Sequence, residues 1–184
     1  MDYSFEDLGD QTYDELRRAV ARQVRDGHDG RFLDATDIVH EVWVRMSGQN
    51  AGWSDRVHFQ AVASMFARRV IVDAARSRQA RKRGGGRQRV GLELASTEAL
   101  GTKGDALEID DALSRLAELD PRQAMIAEHR IFGGSTTDCI ARMLDLSEAT
   151  VRRDWAVARA WLRATLADER SGEAELAAEA ANDE

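Results

Sequence analysis

The chain has 184 residues, of which 43% are hydrophobic and 6% aromatic, with a single proline. It is long enough for one ordinary domain or two small ones, and has the apolar material for a core. Its net charge of −7 would argue against a polyanionic partner, but residues 168–184 hold seven acids against Arg170 alone, so nearly the whole excess lies in a tail and the rest is close to neutral.

The lone cysteine, Cys139, excludes an internal disulfide and fits a reducing compartment. The start, MDYSFEDLGD, is acidic and lacks an apolar leader core. No apolar run approaches the ~18 residues of a membrane span, so a cytoplasmic protein is expected. Ala, Arg, Leu and Glu dominate, all good helix formers, which predicts an all-α fold.

The first helical pattern is QTYDELRRAVARQVRDG, with Tyr13, Leu16, Val20 and Val24 at three- or four-residue steps. DATDIVHEVWVRMSGQ is the second. Ile38, Val42 and Met46 form one stripe with Val39 and Trp43 beside it, and Asp37, Glu41 and Arg45 follow one another on another face. Ser54 can cap the third and longest helix. Its Phe59, Val62, Phe66, Val70 and Ala74 should bury, whereas Arg69, Arg76 and Arg83 share a different face. From Arg68 to Arg89 nine residues are basic and one, Asp73, is acidic, so this helix begins as a core element and ends as a cationic rod until Gly84–Gly86 stop it. Residues 84–104 hold glycines and small polar residues with no sustained period and read as a linker.

A second helical unit begins near Asp105. In DALEIDDALSRLAEL the residues Leu107, Ala112, Leu116 and Leu119 lie on roughly one side. The next start signal is clear: Asp120 as N-cap, Pro121 at the first helical position and Gln123 in a capping-box-like place, with Gly133 and Gly134 at the end. STTDCIARML follows with Ser135 expected as N-cap, and the last pattern is capped by Ser147, with Val151, Trp155, Ala158 and Leu162 as its buried stripe.

Residues 135–167 have the layout of a helix-turn-helix. Ala141 is small enough for two helix backbones to approach there, while Leu144, Leu146 and Val151 can fill the space between them. That leaves Glu148, Ala149, Arg152, Arg153 and Ala156 outward, the positions that enter a major groove. Arg152 and Arg153 suit guanine edges or phosphates, Ser147 and Thr150 flank the same helix start, and Arg159 and Arg163 extend the basic side. The plain alternative is a helical hairpin with solvated arginines.

The segment LDPRQAMIAEHRIFGGSTTDCIARMLDLSEATVRRDWAVARAWLRATL resembles the promoter −35-binding domain of bacterial sigma factors of the extracytoplasmic-function (ECF) group. ATDIVHEVWVRM and HFQAVASMFARRVIVDAARSRQARKRGGG resemble the core-binding and −10-binding helices of the same group, and the matched blocks cover most of residues 10–167. The resemblance implies two small helical domains on a flexible tether. Residues 1–83 would bind core polymerase and the −10 element, 84–104 would be the linker, 105–167 would bind the −35 element, and 168–184 would be an acidic tail. It implies a sigma factor with core RNA polymerase and promoter DNA as partners, and many relatives are held by an anti-sigma protein. Arg68, Arg69, Arg76 and Arg78 would follow the phosphates of the −10 region, with Trp53 and His58 near the helix start available to stack on a flipped base and Phe59 more suited to the core. Asp37, Glu41 and Arg45 would meet the polymerase; taken without the resemblance they are an exposed charge ladder.

Two departures stand out. Asp145 stands where many relatives have glycine, and Asp tolerates a left-handed backbone better than most residues. Cys139 stands where an acid is common and is expected to pack rather than react.

No catalytic constellation is visible and no metal or cofactor site is expected, so the chain does not read as an enzyme. His28, His40, His58 and His129 are scattered, HEVWV carries Val44 where a zinc motif needs its second histidine, and no glycine-rich stretch ends in the Lys-Ser/Thr of a phosphate loop. The alternative function is a stand-alone helix-turn-helix regulator at an operator, which would account for 105–167 only. A purely protein-binding helical adaptor leaves the basic helix unexplained.

Overall fold

The computed structural model describes Tyr13, Asp14 and Arg17, residues 35–48 and 56–82, Leu100, and residues 105–182. The fold is all-α. The described residues form six helices: α1 (Ala35–Ser47), α2 (Arg56–Lys82), α3 (Ala106–Leu119), α4 (Pro121–Ile131), α5 (Thr137–Leu144) and α6 (Glu148–Asn182). Most of the first helical pattern, the Ser54 cap, Trp53, the Arg78, Arg81 and Lys82 side chains, the basic residues from Arg83 to Arg89 and all of the expected linker except Leu100 lie outside them.

α1 buries Ile38, Val39, Val42 and Met46 completely, the stripe its periodicity predicts, and turns Asp37, His40 and Glu41 to solvent. Trp43 is half-buried and meets Tyr13 edge-on at 5.2 Å and Phe59 of α2 at 6.1 Å. Such edge-on rings add to the area they bury.

α2 buries far more than one stripe. Phe59, Phe66 and Val70 are buried as expected, and so are Ala63, Ser64, Ala67, Ile71, Val72 and Ala75. The cause is its position: one side packs on α1, while others meet α3, α4 and α5. A helix with neighbours on several sides loses the amphipathic pattern of a surface helix. A single apolar cluster therefore runs from α1 through α2 and Leu100 into α3, α4 and α6.

The caps explain where the C-terminal helices begin. Asp105 Oδ1 accepts from the backbone of Leu107 and Glu108, and Glu108 Oε2 accepts from Asp105 N–H, a complete capping box. Asp120 Oδ1 accepts from Gln123 N–H at 3.0 Å ahead of Pro121. The cap of α5 is Thr136, one residue later than expected. Ser135 is occupied otherwise: its N–H donates to the His129 carbonyl and its carbonyl accepts from Arg130 Nη1, both at 3.0 Å, which closes the turn after α4. Ser147 Oγ accepts from Thr150 N–H at 3.1 Å and starts α6.

α6 continues past Asp168 as helix to Asn182, and Glu169 pairs with Arg115 of α3. None of the described helices is long and apolar enough to cross a membrane.

Candidate nucleic-acid interface

α5 and α6 are joined through Asp145, Leu146 and Ser147. Asp145 holds φ 52° and ψ 48°, the left-handed conformation, and Leu146 N–H donates to the Ala141 carbonyl at 2.9 Å. This is a Schellman-type end, normally made with glycine. Asp is among the few side chains that enter this region at modest cost.

Behind the turn, Ile126, Ile140, Ala141 and Val151 form a cluster, with Leu144, Leu146 and Trp155 packed against it. Val151 is fully buried and Ala141 is 6% exposed, so α6 is seated on α5 and α4 through its first turns. With that stripe inward, Glu148, Ala149, Arg152, Arg153, Ala156, Arg159 and Arg163 are all exposed. The start of α6 is thus a rigid, cationic, solvent-facing turn.

Two of those arginines are held by acids of their own helix. Arg152 Nη1 lies 2.8 Å from Glu148 Oε2 and Arg153 Nε 3.4 Å from Asp154 Oδ1. Arg152 and Glu148 are 62% and 48% exposed, so exchange of that carboxylate for a base edge or a phosphate costs little. Asp154 is different. It is 3% exposed and takes Arg122 of α4 at 2.8 Å, tying α6 to α4 from beneath the exposed face. Sequence reasoning missed it, because an acid between Arg153 and Trp155 reads locally as one more surface charge.

On α2 the basic residues divide. Arg69 is exposed and its guanidinium sits 5.7 Å from the Phe66 ring centroid, a cation–π distance. His58 is exposed as well. Arg68 is not: its side chain is 19% exposed, with Nε 2.8 Å from Asp110 Oδ1 and Nη1 2.6 Å from Glu128 Oε2. Burial opposes its charge, but the hydrogen bonds and charges of Glu128 and Asp110 outweigh that and hold its pKa above the ordinary arginine value. Arg76 is 61% exposed and reaches Asp110 Oδ2 at 3.2 Å. Asp110 and Glu128, both on the C-terminal helices, were invisible as partners, since they stand 42 and 60 residues away from Arg68.

Of the triad on α1, Asp37 and Glu41 are exposed. Arg45 Nε lies 2.8 Å from Glu41 Oε1, and Nη1 lies 3.3 Å from Asp73 Oδ2 on α2. The hydrogen bond it donates to Glu41 counts most in raising its pKa, against a smaller cost of burial. Arg45 therefore buttresses α1 on α2 as well as edging the acidic face.

Cys139 is buried, with Sγ 3.1 Å from Gln60 Oε1, a packing contact between α5 and α2. Among the described residues no group of His, Cys, Asp and Glu is placed to hold a metal ion.

No curated protein and no solved structure matched the chain. A family model described as ECF sigma factor matches residues 2–168. That span takes in both helical blocks and every surface described above, so the chain belongs to the ECF sigma factor family and serves in transcription initiation.

Proposed function

We propose that this protein brings core RNA polymerase to promoters by reading two elements at once, the −35 element through α6 and the −10 element through α2. The observation that carries the reading is the start of α6, where Val151 is locked in a private apolar cluster while Arg152 and Arg153 point into solvent. A side chain reads bases well only if its helix cannot shift, and the cluster supplies that rigidity. α5 and α6 then act as a helix-turn-helix, with Ser147 and Thr150 available to phosphates at the helix start and Glu148 and Arg159 flanking the groove-facing arginines.

On α2, Arg69 and His58 are displayed for the −10 strand, and Arg68 and Arg76 join them once their internal partners are released. Trp53 and Arg78 complete the proposed set. α1 offers Asp37 and Glu41 to basic residues of the polymerase, with Arg45 holding Glu41 in place. The deciding experiment is transcription in vitro from candidate promoters with core enzyme, with and without the protein. Core-dependent, promoter-specific transcripts are expected. Tight binding to duplex DNA by the protein alone, without association with core, would instead establish the stand-alone regulator.

A further inference from the structure

The inward stripe of α6 is apolar with one exception. Val151, Ala158 and Leu162 are fully buried, and Asp154, which falls on the same stripe, is 3% exposed. For stability alone, a buried carboxylate is a poor way to join two helices. Its desolvation offsets most of what an ion pair returns, and an apolar residue of similar volume serves as well or better. The neighbouring contact is indeed apolar, with Ile126 of α4 and Val151 of α6 in one cluster.

Both partners of this acid lie at the surface. Arg122, in the first turn of α4, is 50% exposed and reaches Asp154 Oδ2 at 2.8 Å. Arg153 is 70% exposed and donates from Nε to Asp154 Oδ1 at 3.4 Å. Each carboxylate oxygen thus serves one arginine: Arg122 fixes Asp154, and Asp154 holds Arg153 by the nitrogen nearest its chain. A bond at Nε leaves the outer edge of the guanidinium, Nη1 and Nη2, clear of this acid. That edge is a fork of parallel donors matched to O6 and N7 of guanine. Arg152 differs, because the exposed Glu148 holds it at Nη1, and its fork must leave that acid before it reads a base.

We propose that Asp154 is the positioning residue for base recognition by Arg153: anchored by Arg122, it sets the Arg153 guanidinium before DNA arrives. The inference rests on the reading of α6 as the −35 helix. A carboxylate this buried does not touch a base itself; it acts by removing freedom that Arg153 would otherwise lose on binding. Immobilising one long side chain costs roughly two- to tenfold in affinity. Against a wrong base the contact is not made and no ordering is needed, so ordering in advance widens the gap between right and wrong base. Asp154 therefore sharpens discrimination at the one position that Arg153 reads.

The test uses the full chain with two variants: Asp154→Asn, which keeps the shape, and Asp154→Leu, which continues the apolar stripe and so preserves folding. In nitrogen-15-labelled protein the Arg153 Nε–H resonance is identified by its loss in Arg153→Ala. Its order parameter should lie above about 0.6 in the wild type and well below that in both variants. Transcription with core polymerase is then measured on promoters altered one base pair at a time in the upstream element. Each variant should lose about fivefold in discrimination (about 1 kcal/mol) at the position that Arg153→Ala relaxes, and none at the position that Arg152→Ala relaxes. Added to Arg153→Ala, Asp154→Asn should change nothing further there, since it acts only through that arginine. A plain tie between α4 and α6 predicts otherwise: Asp154→Leu would select like the wild type, or both positions would weaken together as the urea midpoint falls. Either result, or an Arg153 Nε–H as mobile in the wild type as in the variants, overturns the proposal. An ordered Arg153 that both variants release, in a protein that never supports core-dependent transcription, leaves the brace standing and sinks the −35 reading instead.

Discussion

His129 gives the fold a pH sensitivity that can be worked out in advance. It is 3% exposed in α4, and its Nδ1 has no hydrogen-bond partner among the described residues. Burial pushes its pKa down from 6.5 to about 4. The native state therefore resists a proton that the unfolded chain takes up readily. Above pH 6.5 the histidine is neutral in both states and costs nothing. Below it, the unfolded state binds the proton first, so stability declines as pH falls and levels off only below about pH 4. At 1.36 kcal/mol per pH unit the loss is about 0.8 kcal/mol at pH 6 and about 2 kcal/mol at pH 5, tending to about 3.4 kcal/mol in acid. Urea unfolding of the wild type and of His129→Leu at pH 7.5, 6 and 5 isolates this contribution, because the other histidines and the carboxylates titrate in both proteins and cancel in the difference. The variant should lose about 2 kcal/mol less than the wild type between pH 7.5 and 5. Parallel curves for the two proteins would refute the reasoning, since they would mean that the native state accommodates the imidazolium.

Val151→Ala removes two fully buried methyl groups from the cluster behind the α5–α6 turn and should cost about 2–3 kcal/mol in urea unfolding; a loss below about 0.5 kcal/mol would mean that α6 is not seated there. Arg152→Ala and Arg153→Ala should each weaken discrimination between a promoter and one altered in its upstream element by about 1–3 kcal/mol, and unchanged selectivity in run-off transcription would remove this turn from the groove. Asp37→Lys combined with Glu41→Lys should lower affinity for core polymerase while leaving helical circular dichroism unchanged, because both side chains are exposed. Normal affinity would return α1 to an ordinary solvated face.

Much of this molecule is written in short-range patterns. The Ile38, Val42, Met46 stripe, the Asp120–Pro121 start, the Ser147 cap and the outward set from Glu148 to Ala156 all follow from helical periodicity and capping chemistry within one or two turns. The left-handed Asp145 also belongs here, because the side chain's own tolerance permits it. Where local signals competed, the reading slipped: Ser135 has the chemistry of an N-cap, but the turn closing α4 uses its backbone and Thr136 takes the role.

What only the tertiary structure decided is the fate of charges. Arg68 and Arg69 are neighbours in sequence with the same side chain, yet one is clamped between Asp110 and Glu128 and the other stands in solvent. The 100° turn between successive helical residues sends them to different surroundings, and what waits on each side is set by helices 40 to 60 residues away. Periodicity tells which way a side chain points along its own helix; only the packing of distant helices tells what it finds there.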